Sequence, residues 1–223
     1  MNHFAYADDL VVLAPSATGL NSLLRIREEF AVNLVIIFNT SKSVCMALYP
    51  GSMSQNVSPN IYLSGAVIEY VKEFRYLGHI ISVDFKDDSD IRREIRSLYA
   101  RGNTLIRKLN FLPIDVKCSL FKSYCYSLYT SSLWCRYNKY TLDRLKVCYN
   151  NMMRGLAGVA RWQSASSMFA TLGVRSFGET MRVTSYSLMC RVNRSENSLV
   201  RNLVKSDSYC ISALRDQWTN TLF

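Results

Sequence analysis

Hydrophobic and polar positions along the chain change their period near residue 83. Before that point the apolar runs are short and rich in Val, Ile, Phe and Tyr, which suits strands. Phe4–Tyr6 and Leu10–Leu13 flank Ala7-Asp8-Asp9, the pattern of a hairpin with acidic residues at its turn. Ser16 is placed to cap a helix running to about Asn33, with Leu20, Leu23, Leu24, Ile26 and Phe30 as its apolar positions. Val35–Phe38 and Ser43–Tyr49 read as two strands joined by Asn39-Thr40-Ser41-Lys42, and Pro50–Pro59 as a polar surface loop. Ile61–Leu63 and Ala66–Tyr70 are expected to pair across Ser64-Gly65, Phe74–Ser82 to form a final strand, and Asp84–Asp90 to be a polar linker.

From Asp90 onward the period is about 3.6. Ile91, Ile95, Leu98, Leu105, Ile106 and Leu109 fall on one helical face, and Arg92, Arg93, Arg96 and Lys108 fall off it. Pro113 suits the start of a new helix, in which Leu120, Phe121, Tyr124, Leu128 and Tyr129 continue towards Trp134. Further helices are expected at Leu142–Val159, Ser164–Leu172, Phe177–Val192 and beyond Glu196. The fold class is therefore α+β: a small antiparallel sheet with a helix, followed by an all-helical region.

Charge sharpens this division. Residues 1–90 carry 6 Lys/Arg against 10 Asp/Glu, whereas residues 91–206 carry 20 against 5. A solvated helical surface is usually of mixed sign, so a surplus of fifteen positive charges points to a polyanionic partner. The seven cysteines include no C-x-x-C pair, and His3 and His79 stand at no zinc-like spacing from them, so reduced and mostly buried thiols are expected. The longest apolar run, Leu34–Phe38, is far too short to span a membrane, and Met1-Asn2-His3 does not open a signal peptide. The chain reads as a soluble intracellular protein.

Two adjacent carboxylates at a turn braced by apolar strands can converge on one point. Such a point is what two-metal phosphoryl transfer needs, because Mg²⁺ takes carboxylate oxygens. The full string Phe4-Ala5-Tyr6-Ala7-Asp8-Asp9-Leu10-Val11-Val12-Leu13 resembles motif C of reverse transcriptases, in the form found in non-LTR (LINE-like) retrotransposons. The resemblance continues in order. Asn39-Thr40-Ser41-Lys42-Ser43 is similar to motif D, and Phe74-Arg75-Tyr76-Leu77-Gly78 to motif E, the primer grip. Phe121-Lys122-Ser123-Tyr124-Cys125 and Leu133-Trp134 look like segments that follow motif E in such elements.

This resemblance implies a partial polymerase palm over residues 1–83, a helical thumb over 84–180 and a helical C-terminal extension over 181–223. It implies that Asp8 and Asp9 hold Mg²⁺, with Mn²⁺ as an alternative ion. Tyr6 would lie near the primer terminus, and Lys42 would protonate the departing pyrophosphate. Tyr76, Leu77 and Gly78 would position the primer strand. Arg92, Arg93, Arg96, Arg101 and Lys108 would contact phosphates of a duplex of RNA template and DNA primer, without reading sequence. Tyr124, Tyr126 and Trp134 are candidates either for base stacking or for the core. In the family, a primer 3′-hydroxyl attacks the α-phosphate of a dNTP. The fingers and motifs A and B, which complete that site, precede motif C, and the chain opens a few residues before it. The expectation is that this polypeptide alone does not polymerise DNA. The competing reading is a non-enzymatic nucleic-acid-binding remnant that uses the basic helices.

Overall fold

The computed structural model describes residues 2–48, 59–125 and 128–222. The chain divides into two compact units, one comprising Met1–Phe74 with Ser82–Asp84 and the other Arg75–Ile81 with Phe85–Phe223. Strands and helices are both present, so the α+β class holds. The Pro50–Pro59 loop lies outside the described residues apart from its last residue, and Tyr126 lies wholly outside them.

In the first unit, β1 (His3–Tyr6) and β2 (Asp9–Val12) form an antiparallel hairpin in which Tyr6 faces Asp9. Helix α1 (Ala17–Asn33) follows, its first turn capped by the Ser16 hydroxyl, which accepts from the Gly19 N–H. Leu20 and Leu24 of this helix pack on a small core of Cys45, Ile61, Leu63 and Ile68. The Asn21 side chain ties α1 to the segment beside it: its amide donates to the Asn60 carbonyl at 3.0 Å, and its oxygen accepts from the Tyr62 N–H at 2.9 Å. That segment is the hairpin of β4 (Tyr62–Leu63) and β5 (Ala66–Val67), turned at Ser64-Gly65, where both residues have positive φ.

Two strand expectations are corrected here. Val35–Phe38 is not a strand. The Ile36 N–H bonds back to the Ala31 carbonyl at 2.9 Å and the Val35 N–H to the Val32 carbonyl at 3.2 Å, the two bonds of a Schellman cap, with Val35 at φ 57. Closing the helix uses donors that a ladder would need, and it puts a β-branched residue where glycine is usual. The strand expected over Ser43–Tyr49 is limited to β3 (Val44–Cys45), which pairs in parallel with β6 (Glu69–Tyr70), so the sheet structure is not wholly antiparallel. Tyr49 lies outside the described residues.

Phe74–Ser82 is a hairpin rather than one strand. Strands β7 (Glu73–Tyr76) and β8 (His79–Ser82) are joined by Leu77-Gly78 at φ 47 and φ 86, the two positive values of a type I′ turn. Its turn end, Arg75–Ile81, groups with the second unit.

The second unit is otherwise helical. Helices α2 (Asp88–Lys108), α3 (Ile114–Cys125) and α4 (Lys139–Ala157) surround a core of Ile91, Leu98, Phe121, Leu145, Cys148, Tyr149 and Met153, each 0% exposed. At Gly102 on α2 a Cβ would sit 2.5 Å from the Met152 sulfur of α4, so a bare backbone is what lets these two helices approach. Tyr149 is central, its ring 5.6 Å from Phe121 and 5.7 Å from Phe169, and its hydroxyl donates to the Arg175 carbonyl at 2.9 Å. The helix expected to continue towards Trp134 is described as far as Cys125, and Tyr129–Leu133 is a 3₁₀ turn rather than its continuation.

Helices α5 (Ala165–Leu172) and α6 (Phe177–Asn193) begin at the serine caps Ser164 and Ser176, and the second of these forms a capping box with Glu179. Short helices α7 (Ser198–Val204) and α8 (Asp207–Cys210) lead to α9 (Ala213–Leu222). Trp218 of α9 is buried and its indole N–H donates to the Ser132 carbonyl at 2.7 Å, so residues 213–222 are part of this unit rather than a tail. Among the described residues, no helix is long and apolar enough to cross a membrane.

Candidate nucleic-acid and metal site

The acidic hairpin is a tight one. Tyr6 and Asp9 are the last paired residues, which leaves Ala7-Asp8 as the two-residue turn. Only Ala7 of these two has positive φ, at 52°, so the turn bends as a type II′ turn does and holds an alanine where glycine is favoured. Asp8 therefore stands at the tip, and Asp9 belongs to β2, across from Tyr6 on the same face of the ladder. Tyr6, Asp8 and Asp9 are all exposed. Among the described residues no group of three His, Cys, Asp or Glu side chains is arranged to hold a metal ion.

Lys42 occupies a different exposed turn of the same unit. Asn39 organises that turn. Its side-chain oxygen accepts from the Ser41 hydroxyl at 2.7 Å and the Lys42 N–H at 3.2 Å, while its carbonyl accepts from the Ser43 hydroxyl at 2.9 Å. The N-x-x-K-S spacing is thus an Asx turn with a lysine on its outer side. Lys42 makes no ion pair with Asp8 or Asp9 among the described residues.

In the second unit Tyr76 is half-buried and Leu77 exposed on the β7–β8 turn, with Gly78 supplying the second positive φ. What holds this turn is a cluster that sequence reasoning took for a linker. Asp87 and Asp90 are buried, and Asp90 is 0% exposed. The Asp90 carboxylate accepts from His79 Nδ1 at 3.0 Å, the Ile80 N–H at 3.1 Å, Arg93 Nε at 2.6 Å and the Trp134 indole at 2.8 Å. Asp87 accepts the N–H groups of Cys135 and Arg136, both at 2.8 Å. Asp88 accepts from the Asn138 N–H at 3.2 Å. One turn of helix thus fastens the turn end of the β7–β8 hairpin and the start of α4.

The electrostatics follow from this arrangement. Burial by itself would raise the Asp90 carboxyl, but the donors from His79, Arg93, Trp134 and Ile80 bring it well below the usual carboxylate range. Burial raises Asp87, and the Cys135 and Arg136 amides only partly offset it. Burial likewise raises Glu94, 0% exposed, against the opposing pull of Arg93 and Arg101.

Glu94 engages two of the candidate phosphate contacts within the unit. Arg93 Nη1 lies 3.0 Å from Glu94 and its Nε bonds Asp90, so its guanidinium is committed inside the unit. Arg101 lies 3.6 Å from Glu94, bonds the Ser97 hydroxyl and donates to the Tyr124 carbonyl at 3.0 Å. A buried carboxylate needs partners, and these two arginines are the partners. Arg92, Arg96 and Lys108 remain on the exposed side of α2. Of the aromatic candidates, Trp134 is core and Tyr124 is exposed. The residues missed from sequence are His79, Asp87, Asp90 and Glu94. The available signal was an acidic run directly before a helix of 3.6 period, where carboxylates favour the first turn.

The acidic hairpin and the motifs downstream are similar to those of the reverse transcriptases, and comparison with known proteins bears that likeness out. The chain is 26% identical over 213 residues to the RNA-directed DNA polymerase from mobile element jockey of Drosophila melanogaster, with 89% of this chain covered. It is 23% identical over 212 residues to the jockey RNA-directed DNA polymerase of Drosophila funebris, again over 89% of the chain. The chain spans 22% of the length of each of these relatives. No family model matches the chain, and no solved structure does.

Proposed function

We propose that the chain is a fragment of an RNA-directed DNA polymerase of the non-LTR retrotransposon kind, with the first unit as part of a palm and the second as a thumb. The observation that carries this reading is the Ala7-Asp8 turn, which presents Asp8 at the tip and Asp9 beside Tyr6, within a chain similar to jockey polymerases along 89% of its length. Asp8 and Asp9 are the residues that would hold Mg²⁺, an ion that is commonly bound by one or two carboxylates together with substrate phosphates. The ion would supply charge neutralisation at the transferred phosphate. Tyr6 would flank the primer end and Lys42 would offer a proton and a positive charge to the leaving group. Tyr76, Leu77 and Gly78 would set the primer strand, with the Asp90 cluster holding their turn. Arg92, Arg96 and Lys108 would meet the phosphates of the template–primer duplex.

On this reading Asp8 and Asp9 supply two carboxylates of the metal site, and the isolated chain is expected not to polymerise. Losing one preorganised transition-state contact typically costs ~10²–10³ in rate. A primer-extension assay with the purified chain, Mg²⁺, dNTPs and an RNA template tests this. No extension is expected, and incorporation that Asp8→Asn abolishes would overturn it.

The exposed arginines favour a second reading, in which the chain binds nucleic acid without catalysis. Duplex binding that survives Asp8→Asn and falls on removal of Arg92 and Lys108 would be its signature.

A further inference from the structure

A shallow groove of about 240 Å³ runs between α2 and α4, lined by Ile95, Tyr99, Tyr140, Asp143, Arg144 and Val147. It lies within the second unit and apart from every residue assigned above to primer or metal. Its volume is below the ~300 Å³ at which pockets for drug-sized ligands begin, so it suits one planar ring rather than a nucleotide cofactor. The aromatic rings are not core: Tyr140 is 68% exposed and Tyr99 38%. Arg144 sits over the Tyr140 ring, 6.0 Å from its centroid.

We propose that this groove is a stacking site for a base of single-stranded RNA. Exposed tyrosines beside arginine give bases a π-face and a cation at once, and this platform suits unpaired strands because paired bases hide their faces. The surroundings favour a polyanion. Arg96 and Arg92 are exposed on α2, three and seven residues before Tyr99 and hence on its side of the helix, and Arg144 and Arg161 both act electrostatically on the Tyr99 hydroxyl. Asp143 is the one acidic side chain lining the groove. A carboxylate among phosphates is tolerated where it accepts a hydrogen bond, and the ribose 2′-hydroxyl is a donor that DNA lacks. This inference shares Arg92 and Arg96 with the polymerase reading, as sources of positive charge beside the groove. It depends on Tyr140, which that reading does not use.

Fluorescence anisotropy of the full chain with a short labelled single-stranded RNA, the same sequence as DNA, and an RNA duplex tests the assignment. Tyr140→Ala is expected to weaken single-stranded RNA binding about tenfold, within the usual range for loss of one stacked base, while Tyr140→Phe retains it and duplex binding is unchanged. Arg144→Ala gives an independent variant should Tyr140→Ala lower the melting temperature. Arg191→Ala, exposed on α6, controls for diffuse charge and should leave affinity within about threefold. Absence of single-stranded RNA binding, equal losses for Arg191→Ala and Tyr140→Ala, or DNA bound as tightly as RNA would each overturn the proposal. Loss of duplex binding on changing Arg92, Arg96 and Lys108 bears on the polymerase reading instead.

Discussion

Asp90→Ala is the most demanding test of how the second unit is held together. The substitution removes one carboxylate that accepts from four donors, those of His79, Ile80, Arg93 and Trp134. Arg93 keeps Glu94 as a partner at 3.0 Å, so its loss is partial. The Trp134 indole is 1% exposed and has no route to water, and the Ile80 amide is half-buried. Stranding a buried donor costs about 1–3 kcal/mol. Two such donors and a weakened buried ion pair give a loss of about 4 kcal/mol, inside the ~3–5 kcal/mol typical of breaking a buried pair from one side. For a protein of this size that is a fall of roughly 8–16 °C in melting temperature. Urea unfolding should be followed by far-ultraviolet circular dichroism, because tryptophan emission would report Trp134 directly. Trp134→Phe alone should cost less, and the double variant should fall short of the sum by about 1 kcal/mol, since both changes remove the same bond. A loss under about 1 kcal/mol for Asp90→Ala, or strict additivity with Trp134→Phe, would refute the reasoning.

The same carboxylate sets an acid dependence. Asp90 is depressed in the folded state, so its stabilisation is complete above the unfolded value of about 4 and is withdrawn as the pH falls below it. Asp87 and Glu94 are raised by burial and act in the opposite sense, their protonated forms favouring the fold. Melting temperature measured between about pH 2 and 5 should therefore fall more steeply for the native sequence than for Asp90→Asn, and parallel curves would exclude Asp90 as the cause. The turn at Leu77-Gly78 gives a further case. Leu77 is exposed at φ 47, so Leu77→Asn should raise stability by about 0.5–1 kcal/mol, read as a higher urea midpoint, and a lower midpoint would contradict the turn assignment.

Local chemistry was legible from the residues themselves. The Ser16 cap and the length of α1, the pairing of Tyr62 with Val67 across Ser64-Gly65, and the hairpin at Ala7-Asp8 all depend on neighbours within a few positions. So does the helical period after Asp90, and the family likeness was carried by three short motifs of the same kind. What failed was any residue whose fate is decided by distant partners. One local case failed as well: Val35 and Ile36 have strand propensity, yet their N–H groups bond back to Val32 and Ala31 and close the preceding helix. Arg93 and Arg92 are adjacent and chemically identical, and only the position of the buried Glu94 and Asp90 sends one inward and leaves the other in solvent.

The sequence by itself thus determined most of the helices, the excess of positive charge after residue 90 and the acidic turn, because those properties are local or additive. The tertiary structure decided that Asp87 and Asp90 are buried clasps rather than a linker. A carboxylate survives inside a fold only where donors converge on it, and the Asp90 donors come from His79, Arg93 and Trp134, up to 44 positions apart from it in the chain.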